Sequence, residues 1–519
     1  MNFVLRQPLM LQGLICLVLG AANLLAFAPF GAWPVQIISL AWLIHLSLLD
    51  HTAPLKHHFW RAWAFGLGWT GCGMYWLYIT MYHYAHLPLW MACSAVFLLA
   101  SFYLAPFTAI AICLSIYLRR RWGLSLLLTA LCVLPALWGL TEWLRGWLLT
   151  GLPWVVSGYA HNTSPLAGFA PIVGVYGIGA LAALAAAALA AAILSAGSAR
   201  KATLGLVAAL FLAGGVLQQI AWSQPLGKTI SVRLLQGNVE QDTKFDRARL
   251  SQSLALYQNL IEAEAADLIA TPETALPLFI HQVPPEYMQR LQRYAQQSQS
   301  HIAIGLLIAD SPELYTNSLI GISPQTDSLY RYNKSHLVPF GEFVPTGFHW
   351  FVTMLGIPMS DQTPGKPWQR AWQIKDQAVL PNICFDDLFG EEIAHHMGAS
   401  EAAGAPTPSI LLNVSNLAWF DDSLALAQHL QISQMRAIET ARPMLRATNT
   451  GATAIILPTG KVQTQLPILV KDNIKAQVQG MQGKTPYVRF GNGIMLCAAG
   501  LALLLAFSRR QLITHHQGQ

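Results

Sequence analysis

Charge is scarce in this 519-residue chain. Asp, Glu, Lys and Arg make up 11% of it, while 54% is hydrophobic; soluble globular proteins are roughly one quarter charged. A molecule exposed to water over its whole surface is therefore excluded. The shortage is local. Outside residues 228–489 there are only two acids, Asp50 and Glu142, against eleven Lys and Arg; inside are twenty-three acids and twenty cations. The net charge of +6 thus belongs to the apolar part. No basic stripe marks a folded face, which excludes the usual footprint for nucleic acid. Cysteine is equally scarce where a framework would need it. Six of the seven (Cys16, Cys72, Cys93, Cys113, Cys132, Cys497) lie in apolar runs, and the polar segment holds only Cys384. A disulfide scaffold in that segment is excluded. No G-x-S-x-G elbow occurs, which argues against a serine hydrolase of that type.

What the chain has is long apolar runs, and about 20 such residues cross a bilayer. Seven precede the polar segment, at about 9–27, 34–49, 60–80, 88–118, 124–142, 167–196 and 203–222; an eighth covers about 491–507. The fourth and sixth are long enough to tilt. No small-residue cleavage site precedes "FAPFGAWP", so the first run reads as a span rather than a leader. Lys and Arg are retained on the cytoplasmic side. Arg6, Lys56 with Arg61, Arg119–Arg121, Arg200 with Lys201, and Arg509 with Arg510 fall on alternate loops, whereas the opposite loops carry only Arg145. This pattern predicts eight transmembrane helices with both termini cytoplasmic. The polar segment then lies outside the cytoplasm, in the periplasm of a bacterium.

The expected domains are 1–228 (seven spans), 229–485 (a polar domain) and 486–519 (the last span and a tail). Within 229–485, strand and helix patterns alternate. "ISVRLLQGNV", "DLIATPE", "HIAIGLLIA", "NSLIGISP", "AVLPNICFDD" and "SILLNVSN" read as strands. "RARLSQSLALYQNLIEAEA", "PPEYMQRLQRYAQQSQS" and "LALAQHLQISQMRAIETA" have helical spacing. "PMLRATNTGATAIILPTGKV" reads as a strand pair turning at "PTGK", and "AWSQPLGK" and "QGKTPYV" as short tethers. The domain is therefore α/β with a packed sheet core.

A thiol that acts as a nucleophile needs a base or cation near it and donors for the oxyanion that forms. Three strand-end positions could supply these: Glu273 in "ATPETALP", Lys334 in "RYNKSHLVPFGEFVP" and Cys384 in "PNICFDD". Strand ends are where sites collect in α/β folds. Read by residue type alone, Cys384 is either a buried small hydrophobe or a reactive thiol. Other signals point to structure. "GLGWTG" (Gly66–Gly71) lies inside an apolar run with no strand before it, so it predicts helix packing rather than a dinucleotide loop. Glu392 and His396 in "EEIAHH" have helical spacing but no third ligand, so they read as a solvated helix face rather than a metal site. His429 reads as helix packing. Glu142 and Arg145 in "TEWLRG" are spaced to pair.

The polar domain resembles the nitrilase superfamily. The whole chain resembles its membrane-integrated branch, the apolipoprotein N-acyltransferase family. The resemblance rests on "FAPFGAWP", "EWLRG" followed by "GLPW", "QGNVEQDTKFD", "PETALP", "YNKSHLVPFGEFVP", "NVSNLAWF", "QHLQISQMRAIET" and "RPMLRATNTG", in order over nearly the full length. It implies an α/β/β/α sandwich on an eight-helix membrane bundle. Carried over, Glu273 is the general base, Lys334 the oxyanion stabiliser and Cys384 the nucleophile, with Glu342 positioning the lysine and Phe385 following the thiol. Trp419, Phe420, Phe343 and Asn413 are the expected substrate-binding residues. Aromatic residues near Trp154, Phe343 and Trp419 are expected at the membrane interface. The implied reaction is ping-pong acyl transfer from a phospholipid to the N-terminal diacylglyceryl-cysteine of an apolipoprotein. It needs no metal or organic cofactor and no more than a monomer. The same triad would serve a membrane-tethered amidase that uses water as acceptor, while sparse intramembrane charge argues against an ion-coupled transporter. The chain departs from the family pattern at Asp386, where glutamate is frequent, at Leu417 and Asp421, where aspartate and glycine are expected, and at Phe245, where tryptophan is common.

Overall fold

The computed structural model describes residues 2–244, 248–311, 313–347, 350 and 361–510. The chain divides into two compact units. One comprises Met1–Tyr78, Leu89–Ile220 and Phe490–Gln519, the other Ile79–Pro88 and Ala221–Arg489.

In the apolar unit, five helices among the described residues are long and apolar enough to cross a membrane: Leu9–Ala26, Leu89–Trp122, Leu126–Arg145, Pro165–Leu194 and Gly197–Leu217. Trp33–Leu49 and Gly493–Ser508 are apolar but shorter. The run expected at 60–80 is instead a helix at Leu55–Gly73. It starts where the extended Pro54 can enter a first turn, and it carries Lys56, His57, His58 and Arg61 near its beginning. Arg61 is buried there and pairs with Asp50 at 2.8 Å. The glycines of "GLGWTG" do pack helices. A Cβ on Gly68 would fall on the Leu17 carbonyl oxygen, and one on Gly20 would fall on that of Phe65. Two backbones thus touch where only glycine leaves room. Ala170–Leu194 buries most of its alanines in the same way. Glu142 and Arg145 are both buried and lie 4.0 Å apart. Glu142 Oε1 also accepts from the Ser157 N–H and hydroxyl, each at 2.8 Å. Trp154 is buried against Trp76, with ring centroids 4.8 Å apart, so it is a packing residue of this unit and not an exposed interfacial one.

The polar unit holds two six-stranded sheets. In the first, Ile230–Gln236, Leu268–Ala270 and His301–Ala309 run parallel; Asp472–Val478 flanks them on one side, and Tyr315–Ser323 and Thr326–Asn333 on the other. In the second, Gln377–Ile383, Ile410–Ser415 and Met444–Thr448 run parallel, with Trp372–Ile374 at one edge and Ala454–Ile456 and Val462–Gln465 at the other. Strand alternation decides which side chains enter the core. Val232, Leu234, Leu268 and Ala270 of the first sheet share one core with Val379, Ile383, Leu412 and Ala447 of the second. Leu235, Ile302 and Ile304 face outward under the helices Leu250–Glu262 and Pro285–Ser298, which contribute Tyr257, Ile261, Leu291 and Ala295. Gly390–Ala402 and Leu424–Thr440 add Ile393, Leu430 and Ala437 on the side of the second sheet. The layering is the expected α/β/β/α sandwich. Arg233, buried on the outer face, donates to the carbonyls of Leu260, Ile261 and Glu264 and so caps the end of its covering helix.

The two tethers pair with each other. Gln224–Pro225 and Met481–Gln482 form an antiparallel two-residue ladder, so the chain enters and leaves this unit side by side. The predicted turn at "PTGK" joins Ala454–Ile456 to Val462–Gln465, while "PMLRAT" is a separate third strand.

Candidate active site

Four strands deliver the site at one end of the sandwich. Leu268–Ala270 leads to Glu273, Thr326–Asn333 to Lys334, Gln377–Ile383 to Cys384 and Ile410–Ser415 to Asn416. Two tight turns aim the first and third. Cys384 sits at φ 49° and Thr274, directly after the glutamate, at φ 47°. Residues with side chains avoid that region unless their surroundings hold them in it, and such strain gathers at functional sites.

Lys334 joins the set. Its Nζ lies 2.7 Å from Glu342 Oε1 and 3.3 Å from Glu273 Oε1, and the side chain is 1% exposed. Burial alone would lower its pKa, but the two carboxylates outweigh that and hold it well above the ordinary lysine value. It stays an ammonium. Asn317 Nδ2 bridges the same carboxylates, at 2.7 Å from Glu273 Oε1 and 3.3 Å from Glu342 Oε1. The other oxygen of Glu273 accepts the Asn416 N–H at 2.8 Å, and that of Glu342 accepts the Val338 N–H at 2.8 Å.

The Cys384 thiol lies within electrostatic reach of Glu273 and Lys334. Burial, then the Glu273 charge, push its pKa up, against the pull of Lys334. The resting sulfur is therefore a neutral thiol, and any nucleophilic attack by it would need a base to take its proton. Glu273 is the candidate. Lys334 and the backbone N–H of Phe385 are the candidate donors to an oxyanion on the carbon attacked by sulfur. The phenyl ring of Phe385 turns away, 7% exposed, to pack on His336 and Phe389.

Several neighbours were not assigned roles by the sequence reading. Lys244, 4% exposed, donates from Nζ to the Glu273 carbonyl at 3.1 Å. Burial outweighs the attraction of Glu273 and Cys384 and pushes its pKa down to about 8. Asp386 explains how a shorter acid serves after Phe385. Its carboxyl accepts from Ile383 N–H at 2.9 Å and His336 N–H at 2.7 Å, tying the Cys384 turn to the loop beyond Lys334. Burial raises its pKa to about 7, although Lys334 and the two N–H groups oppose this. Beneath the turn, Asp387 is fully buried with Arg446, 3.3 Å away, and accepts from Ser433. His429 packs into this network with Nδ1 3.2 Å from Arg446. Glu392 pairs with His336 at 2.8 Å, and His396 Nδ1 lies 2.9 Å from the Glu392 carbonyl.

Asn413 is fully buried, donating to Asn382 Oδ1 at 2.6 Å and to the Cys384 carbonyl at 3.4 Å. Its amide thus supports the Cys384 turn. Phe343 is half-buried beside Glu342. Trp419 is 38% exposed and Phe420 half-buried, in the loop after Asn416. Leu417 is buried over Gly451. Phe245 lies outside the described residues.

Comparisons with known proteins bear on both units. Residues 19–188 match the family model described as the apolipoprotein N-acyltransferase N-terminal domain, and residues 231–487 match carbon-nitrogen hydrolase. An apolipoprotein N-acyltransferase of Ralstonia nicotianae is 48% identical over 95% of this chain and 92% of its own length. The chain belongs to the apolipoprotein N-acyltransferase family. Members from Nitrosomonas europaea, 40% identical over 95% of this chain and 97% of theirs, and Bordetella bronchiseptica, 41% over 97% and 98%, match it over similar lengths. This chain is thus an acyltransferase with a carbon-nitrogen hydrolase domain.

Proposed function

We propose that the protein N-acylates the α-amino group of the N-terminal diacylglyceryl-cysteine of bacterial lipoproteins, taking the acyl chain from a phospholipid through a thioester on Cys384. The observation that carries this is the convergence of Glu273, Lys334 and Cys384, in a chain whose family acts on apolipoproteins. Glu273 takes the thiol proton as sulfur attacks the sn-1 ester carbonyl of the donor, phosphatidylethanolamine on this reading. Lys334 and the Phe385 N–H hold the oxyanion, each such donor being worth about 3 kcal/mol in comparable sites. The C–O bond breaks, Glu273 returns the proton to the departing lysophospholipid oxygen, and the thioester remains. The α-amine then attacks it, Glu273 accepts the amine proton, an amide forms, and sulfur leaves to recover that proton.

Glu342 keeps Lys334 aimed, and Trp419, Phe420 and Phe343 line the approach of the acyl chains, with Asn413 holding the nucleophile turn. Water must be kept from the thioester, since hydrolysis would discard the acyl group. Both substrates are lipid-anchored, which fits eight spans in the inner membrane, cytoplasmic termini and a periplasmic catalytic domain, as the cationic loops suggest. The chemistry is complete in one monomer and calls for no cofactor.

Intact-protein mass spectrometry tests the reading. Detergent-solubilised enzyme mixed with phosphatidylethanolamine and no acceptor is expected to gain one fatty acyl mass. Cys384→Ser is expected to gain none. A folded wild-type protein that stays unmodified with several phospholipids would sink it. Release of the adduct as free fatty acid, unchanged by added diacylglyceryl peptide, would make water the acceptor instead.

A further inference from the structure

The loop after Asn416 is anchored at both ends. At its start, the Asn416 N–H holds the catalytic base at 2.8 Å. At its far end, Asp421 adopts φ 44° and ψ −150°, a conformation that only glycine enters without steric cost. Here the aspartate is retained by a segment remote in sequence, Ile79–Pro88, which packs as part of the polar unit. Tyr84 Oη donates to Asp421 Oδ1 at 2.6 Å and also approaches the Ala418 carbonyl at 2.9 Å. His83 Nδ1 lies 2.7 Å from Asp421 Oδ2. Thr80 donates to the Trp419 carbonyl at 2.9 Å. The Tyr84 ring stands edge-on to Trp419, centroids 5.5 Å apart. Burial, then Asp421 itself, raise the Tyr84 pKa, so the phenol remains a donor. A glycine would relieve the strain but offer nothing to grip. The aspartate accepts the strain and gains two side-chain partners.

We propose that Asp421, Tyr84 and His83 form a clasp that holds the Trp419 loop in order before substrate arrives, making Asp421 and Tyr84 positioning residues for the lipid substrate. What the loop positions rests on the acyl-transfer reading above. Between its anchors the loop presents the part-exposed Trp419 and the half-buried Phe420, side chains suited to a hydrocarbon chain. A loop already ordered loses less entropy on binding, so the clasp acts on apparent affinity more than on the chemical step.

The test uses the full-length enzyme in detergent and the variants Tyr84→Phe, Asp421→Gly and their double. Hydrogen exchange of peptides covering 416–423 is read beside initial thioester formation against phospholipid concentration. Each single variant is expected to speed exchange in that loop about tenfold and to raise KM about tenfold, the effect of losing a charge-assisted hydrogen bond, while kcat falls far less. The double variant is expected to add little to Asp421→Gly, since that change already breaks the Tyr84 bond along with the His83 contact. Asp421→Asn, which keeps an acceptor and tolerates positive φ, is expected to fall between wild type and Asp421→Gly. Unchanged exchange would overturn the clasp, as would fully additive effects. A lower kcat and thermal midpoint at unchanged KM would reduce these residues to a structural role and overturn it too. Exchange reads the clasp even if wild-type enzyme takes no acyl group, a result that counts against the acyl-transfer reading alone.

Discussion

Lys334→Met removes one cation from between two buried carboxylates. The lysine nitrogen is 2.7 Å from Glu342 and 3.3 Å from Glu273, and the three side chains are 1%, 13% and 7% exposed. With an effective dielectric near 20, each attraction is about 5–6 kcal/mol, most of it offset by the desolvation of three charges. Deleting one partner forfeits the attraction but keeps the desolvation. The expected cost is about 3–5 kcal/mol of stability. With Lys334 as the proposed oxyanion donor, thioester formation is expected to slow by about a hundredfold to a thousandfold. Single-turnover mass spectrometry reads the rate, and thermal unfolding in detergent reads the stability. Adding Glu342→Gln removes one of the stranded charges. The double variant is expected to regain part of the lost thermal stability while staying inactive. Acylation by Lys334→Met within tenfold of wild type would refute the assignment. A double variant less stable than the single would refute the electrostatic reasoning.

Two further outcomes are expected. Asp386 has its pKa raised by burial from 3.8 to about 7, so its contribution to stability is fully present below pH 4 and is lost as pH rises through 7, in all about 4 kcal/mol; Asp386→Asn lacks this term, and the difference in thermal midpoint, wild type minus variant, should fall between pH 4 and 7.5, whereas a constant difference would remove burial as the cause. Gly68→Ala places a methyl on the Leu17 carbonyl oxygen, so it should lower the thermal midpoint by the equivalent of about 1–3 kcal/mol without altering the rate of thioester formation per folded molecule, and an unchanged midpoint would show that the helices separate freely.

The strands were legible where burial on both faces makes long apolar words, as in "HIAIGLLIA" and "SILLNVSN". Thr326–Asn333 was not, because its solvent-facing residues Thr326, Asp327, Ser328 and Leu329 break the pattern. Trp372–Ile374 and Asp472–Val478 are edge strands with polar residues in alternation, and they read as loop. Glu273 and Cys384 were legible as polar residues closing predicted strands, while Lys334, whose strand did not read, drew its role from the family resemblance. Asn317 and Asn416 were not legible, since an asparagine carries no sign in a sequence of what its amide or backbone N–H will hold. Lys244 was visible within "QGNVEQDTKFD", yet its burial depends on Glu273 folding over it. The segment Ile79–Pro88 could not be joined to the polar unit from the sequence, because its partners lie more than three hundred positions away.

The first and last strands of the two six-stranded sheets lie side by side: Asp472–Val478 pairs with Ile230–Gln236 along its whole length. During synthesis this leaves the flank of Ile230–Gln236 uncovered until nearly all of the unit has emerged. An open strand flank is a template for wrong partners, and such distant pairing folds slowly. Truncation just before residue 472 would therefore leave Glu273, Lys334 and Cys384 in the chain but one strand flank permanently uncovered, and the expected outcome is aggregation rather than a weakened enzyme.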